Sequence, residues 1–129
     1  MITIKDIDEA AQRLQPVVHN IPLSSSITFS GMTSAEVFLK YENQQKTGSF
    51  KVRGAYNKIA KLPEEAKKRG VIAASAGNHA QGCALSGARL GVKATIVMPK
   101  TTPDIKVDAV RRFGGNVVLF GNSFDEAYA

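Results

Sequence analysis

Lys51 stands in the stretch TGSFKVRGA, Thr47 to Ala55, directly after Phe50 and at the start of an expected helix. Ser49 is the expected cap, which puts Phe50 and Lys51 in the first turn. The helix dipole is positive there, so an ammonium is poorly placed and a neutral amine or an imine is better tolerated. Lys51 is therefore a candidate for nucleophilic, Schiff-base chemistry, beside the ordinary reading of a lysine that reaches out to solvent. A second stretch, SAGNHAQG from Ser75 to Gly82, lies between an expected strand and an expected helix. Its small residues let the backbone approach a ligand closely, and the free N–H groups of the following helix favour an anion. Asn78 adds an amide that can hydrogen-bond an oxygen substituent. The other reading is an ordinary strand-to-helix turn capped by Asn78. The spacing is not GxGxxG and does not support a Rossmann dinucleotide site.

The other reactive side chains offer less. No residue near His79 in sequence supplies a carboxylate to orient it as an acid or base, His19 has no evident partnership with it, and His79 reads as a structural residue or a backbone donor. Cys83 is the single cysteine, which excludes an intramolecular disulfide and a multi-cysteine metal site. Within HAQGCALSGARLG it reads as a small buried hydrophobe. No metal-ligand constellation is present in the spacing.

These stretches need a frame, and the chain supplies one from Glu36 onward. EVFLKYE reads as a strand and SFKVRGAYNKIAKL as a helix with Val52, Ala55, Ile59 and Leu62 on one side. VIAAS is a short buried strand, NHAQGCALSGARL a helix closed by Gly91, and ATIVM a further buried strand. In TTPDIKVDAVRRFGG, Thr102 is the expected N-cap, Pro103 the first helical residue, and Asp104 suits the positive dipole end. Arg111, Arg112 and Gly114 mark the stop. NVVLF is the fourth strand. Upstream, Thr3 caps a helix to about Leu14 with an apolar stripe of Ile4, Ile7, Ala11 and Leu14, and IPLSSSITFSGMTSA reads as loop and turn with one short helical piece. Ser123 and Glu126 form a capping box that announces a helix only about one turn from Ala129, which reads as truncation.

Alternating strands and helices predict an α/β fold: a three-layer sandwich with an open, mainly parallel four-stranded sheet, preceded by an N-terminal helical arm. Right-handed crossovers would bring the strand C-terminal ends and the following helix N-termini to one edge, where open α/β sheets bind ligands. That edge would hold both Lys51 and the Ser75–His79 loop.

The net charge of +6, from 17 Lys and Arg against 11 Asp and Glu, suits an anionic ligand. It is spread out: the densest basic run, KLPEEAKKRG, is broken by Glu64 and Glu65 and reads as a solvated helix end. Lacking aromatic interleaving or an arginine stripe, the chain is not expected to bind nucleic acid. No run approaches the roughly 20 apolar residues of a membrane span, and MITIKDIDEAAQRL has no signal-peptide core. A cytoplasmic location is the expectation.

Three stretches, ENQQKTGSFKVRGAYNKI, SAGNHAQG and ARLGVKATIVMPKTTPDIKVDAVRRFGG, together resemble the serine/threonine dehydratase family of fold type II pyridoxal-phosphate enzymes, over essentially the whole chain. The resemblance implies pyridoxal 5'-phosphate as cofactor and a small amino acid as substrate. It implies that Lys51 is the Schiff-base lysine and moves the Cα proton, that Phe50 packs near the cofactor, and that Asn78 hydrogen-bonds the 3′-oxygen of the pyridine ring. The loop of Ser75, Ala76, Gly77, Asn78 and His79 would hold the substrate carboxylate through backbone N–H groups and the Ser75 hydroxyl. The implied reaction eliminates water from L-threonine or L-serine and takes a water back in the hydrolysis that releases ammonia, threonine yielding 2-oxobutanoate, in amino-acid metabolism such as isoleucine biosynthesis. A racemase or a threonine-synthase-like enzyme of the same fold would share Lys51 and Asn78, and a non-catalytic anion-binding α/β module would use the loop alone. The family's Gly-rich phosphate loop and its Ser or Cys partner for the pyridine nitrogen have no counterpart in the sequence. On this resemblance residues 1–35 are an arm of the large domain and 36–129 most of the small domain. The remainder of a homo-oligomeric parent enzyme would complete the site, and this chain alone is expected to bind the cofactor weakly.

Overall fold

The computed structural model describes residues 1–129. Helix α1 spans Ile4–Leu14 and opens on the expected cap: the Thr3 hydroxyl accepts from the Asp6 N–H at 3.3 Å, and the Asp6 carboxylate accepts from the Thr3 N–H at 2.8 Å. The Thr3 hydroxyl, then its backbone N–H, hold the Asp6 carboxyl below its ordinary range. The stripe on this helix does not face a core. Ile4 and Ile7 are 78% and 56% exposed, and only Leu14 is buried.

The expected four-stranded sheet has three strands. β1 (Leu23–Ser25) and β2 (Phe38–Lys40) pair antiparallel with each other, Leu23 opposite Lys40, and form a separate ribbon around helix α2 (Ile27–Thr33). EVFLKYE is thus a strand for three residues only, and it lies outside the parallel sheet. The reason is its one-sided burial: Phe38 and Lys40 are exposed while Leu39 is partly covered, whereas a parallel strand needs cover on both faces. The ribbon also straddles the expected division at residue 35, joining the two sides of it by backbone pairing.

After a 3₁₀ turn at Glu42–Gln44 come α3 (Lys51–Ala60) and the short α4 (Glu64–Arg69). The parallel sheet comes next, in the order β3 (Val71–Ala74), β4 (Ala94–Met98), β5 (Asn116–Leu119). Between the strands run α5 (Asn78–Leu90) and α6 (Asp104–Arg112), and α7 (Phe124–Tyr128) ends the chain. Central β4 buries Ala94, Ile96 and Met98 against α5 and α6, where Ala80, Cys83, Ala84, Val107 and Val110 meet them. Its opposite face, with Val97 and Ile72 of β3, meets Ala127 and Tyr128 of α7. The layers are those expected, with α7 a thin third layer. β3 is an edge strand, and Ile72 is 74% exposed.

The stops at Gly91 and Gly114 fall where expected, both residues in the left-handed region. The start of α6 shifts by one residue. Pro103 takes the cap position of α6, leaving the Thr102 hydroxyl buried without a partner. Ser123 caps α7 through the Glu126 N–H, while the Glu126 carboxylate reaches back to the Asn122 N–H at 2.8 Å. No helix is long and apolar enough to cross a membrane.

Candidate functional site

Lys51 is the first residue of α3, exposed at its N-terminal end, with Nζ 5.2 Å from the centroid of the half-exposed Phe50 ring. Phe50, in helical conformation, takes the cap position that was expected of Ser49. The Ser49 hydroxyl is only a distant acceptor, 3.4 Å from the Lys51 N–H. No side chain therefore closes the front of this helix.

The second stretch turns from β3 into α5. The Ser75 N–H donates to the Val97 carbonyl at 3.1 Å, adding one bond to the β3–β4 ladder, and the Ser75 hydroxyl accepts from the Gly77 N–H at 3.4 Å. Gly77, not Asn78, is the cap residue, and it has no side chain to spend on the helix. The N–H groups of Ala76, Asn78 and His79 consequently have no protein acceptor. Such donors at the positive end of a 13-residue helix are the makings of an anion site. A methyl added at Gly77 would meet nothing within 4 Å, so the approach is open.

The two stretches meet through Gly82. Its Cα faces the backbone of Lys51, so close that a Cβ there would lie 3.1 Å from the Lys51 carbonyl carbon. Asn78, four residues earlier, lies on the same helix face about 6 Å along the axis. Lys51 and the N-terminal end of α5 therefore share one edge. None of the surface hollows is lined by Phe50, Lys51, Ser75, Ala76, Gly77 or Asn78. These residues stand on an open rim.

His79 is brought elsewhere. Its Nε2 lies 3.4 Å from the Cys83 sulfur, and its ring borders hollows that also touch Ile72 and Ala73. No carboxylate hydrogen-bonds it, which leaves the backbone N–H as its contribution to the rim. Cys83 is buried in the main core, and that burial pushes its thiol up. It behaves as the small hydrophobe expected.

Sequence reasoning missed the residues that brace Lys51. Arg53 donates from Nε and Nη2 to both oxygens of Glu42, at 2.9 and 2.8 Å, tying the first turn of α3 to the loop before it. The buried Gln45 side chain accepts from the His19 N–H and donates to the His19 carbonyl, at 3.0 and 2.8 Å. Neither pairing falls within a helical or strand repeat, so no local pattern announces it.

The family described as pyridoxal-phosphate dependent enzyme matches residues 14–129. The chain belongs to this family. Among curated relatives, an L-threonine ammonia-lyase of Thermotoga maritima is 58% identical over 128 residues, 99% of this chain and 32% of that protein. Among solved structures, threonine deaminase isoform 2 from Solanum lycopersicum is 48% identical with a TM-score of 0.83, over 93% of this chain and 35% of that one. Maize serine racemase is 38% identical with a TM-score of 0.89, over 97% of this chain and 38% of that one. The chain thus spans about a third of the length of these relatives.

As a member of this family, the chain has donors that fit parts of the cofactor. An aldehyde requires an accessible amine, and Lys51 is exposed at the rim. A phenolic ring oxygen requires a donor, and the Asn78 amide is one turn from the Lys51 contact. A substrate carboxylate requires unpaired N–H groups, and Ala76, Asn78 and His79 offer them.

Proposed function

We propose that this chain is the lysine-bearing part of an L-threonine/L-serine dehydratase. The observation that carries the reading is the seating of Lys51 against Gly82 of the same helix whose first turn offers unpaired N–H groups. The names of the Thermotoga and tomato relatives, and their identities of 58% and 48%, support threonine as substrate. When bound, pyridoxal phosphate would draw off the electron pair left as the α-proton departs, so that the β-hydroxyl could leave as water and a water taken back in hydrolysis would leave 2-oxobutanoate and ammonia.

The chain's own residues bind and orient. Lys51 attaches the cofactor through Nζ and moves the Cα proton at that atom. Phe50 packs beside the ring, and the Asn78 amide donates to its 3′-oxygen. The backbone N–H groups of Ala76, Asn78 and His79, with the Ser75 hydroxyl, hold the substrate carboxylate in the turn around Gly77, as a helix N-terminus favours. Residues 1–35 form an arm of the large domain and 36–129 the small domain. The remainder of a homo-oligomeric, cytoplasmic enzyme supplies the cofactor's phosphate site.

The test is covalent. The complete native protein carrying these residues is incubated with pyridoxal phosphate, reduced with borohydride and mapped by mass spectrometry. The adduct is expected on Lys51 and is abolished in Lys51→Ala, with conversion of L-threonine to a 2-oxo acid lost in parallel. An adduct confined to other lysines would refute the assignment. Interconversion of L- and D-serine without 2-oxo acid would favour a racemase, the reading that the likeness to maize serine racemase supports.

A further inference from the structure

Gly82 closes the stretch SAGNHAQG, yet it faces away from the open rim. A Cβ built on it would stand 3.1 Å from the carbonyl carbon of Lys51 and 3.2 Å from both the Lys51 oxygen and the Val52 nitrogen. These are backbone atoms of a helix and cannot swing aside as the end of a long side chain can. Both helices are held where they meet. Ser86, fully buried, donates its hydroxyl to the Gly82 carbonyl at 2.6 Å, and Leu85 packs with Val52 and Val17. On α3, Val52 has no exposed surface and Ala55 lies in the main core with Ala80 and Cys83. Close-packed interiors transmit such a displacement and do not absorb it. The separation of α3 and α5 at this level is therefore set by the missing side chain at position 82.

We propose that Gly82 is a positioning residue for the lysine. It fixes the depth at which the Lys51 backbone sits against α5, and hence where Nζ stands relative to Asn78 and the unpaired N–H groups one turn earlier on that helix. One rigid helix thus carries both the anion-binding end and the spacer for the amine. This rests on the proposed reading of Lys51 as the cofactor-attaching residue. Gly54 on α3 is the contrast, since a Cβ there meets nothing within 4 Å.

The experiment compares Gly82→Ala and Gly54→Ala with the parent in the complete native protein. Turnover is normalised to sites counted by borohydride-fixed cofactor on Lys51, so misfolded molecules do not enter. Gly82→Ala is expected to lower kcat roughly four- to tenfold, since relieving the contact moves the Lys51 backbone by a few tenths of an ångström, where a misplacement of about 1 Å can cost about a hundredfold. The KM for the amino acid changes by less than about threefold, because the carboxylate-binding end of α5 is untouched. The visible circular dichroism of the bound cofactor shifts as well. Gly54→Ala matches the parent in all three. A Gly82→Ala enzyme with the kcat and spectrum of Gly54→Ala overturns the proposal, as does one that fails to fold, which would leave Gly82 a packing residue only. An unmodified Lys51 in the parent overturns the reading of the lysine itself, and so the two failures are told apart.

Discussion

Two residues after Lys51, the Arg53 guanidinium grips Glu42 through two parallel hydrogen bonds, the arrangement in which arginine binds a carboxylate most strongly. The Arg53 hydrogen bond, and beyond it the positive charge of Arg53, hold the Glu42 carboxyl below its ordinary value of 4.5, against the opposing effect of burial. A carboxyl more acidic folded than unfolded stabilises the fold above its unfolded value, and that contribution is lost as pH falls through the lower, folded one. The thermal midpoint of the parent should exceed that of Glu42→Gln by a constant margin at neutral pH. The margin should shrink as the pH drops below 4.5. A margin that persists undiminished in acid would refute this account. At this scale the sequence marks Lys51, Asn78 and the loop as candidates, because each lies in a short stretch whose spacing has chemical meaning. It misled at Gly82, where a small residue in a ligand loop suggests room for the ligand; the room is for α3.

Between elements, the join of the arm to the Lys51 loop depends on Gln45. Its amide presents an acceptor and a donor to the two backbone groups of His19, as a neighbouring strand would, and only 4% of its surface is exposed. Glutamate at this position loses the donor and turns an oxygen toward the His19 carbonyl. Gln45→Glu is expected to cost about 1–3 kcal/mol, as leaving a buried polar group unsatisfied does. Urea denaturation measures this, and a cost within about 0.5 kcal/mol would refute it. The pairing spans 26 positions, which is why no sequence window contains it. The β1–β2 ribbon escaped for a related reason: three residues are too few to establish a period of two. Helix α1 shows the converse, since periodicity identifies an apolar face without saying what, if anything, covers it.

Across the whole molecule, the three parallel strands and their helices were readable because β4 is a compact, mainly apolar run and α5 and α6 carry their own stops at Gly91 and Gly114. Ile96 lies at the centre of that arrangement with no exposed surface. Ile96→Ala should cost about 2–5 kcal/mol, a large part of the about 5–15 kcal/mol that holds a domain together. Ile72→Ala, at a largely exposed position of the edge strand, should stay within about 0.5 kcal/mol. Guanidinium denaturation curves of the two variants check the contrast, and equal midpoints would mean that the core does not lie where the packing puts it. The lone thiol in that core has a use of its own. Cys83 sits where α3, α5 and the sheet converge, and both its seclusion and its raised pKa keep it from reacting in the closed state. A thiol-specific dye added to the unaltered chain therefore modifies one atom, and only while the packing beneath Lys51 is open. The labelling rate is a clock for the breathing of the site, built into the chain without any engineered label.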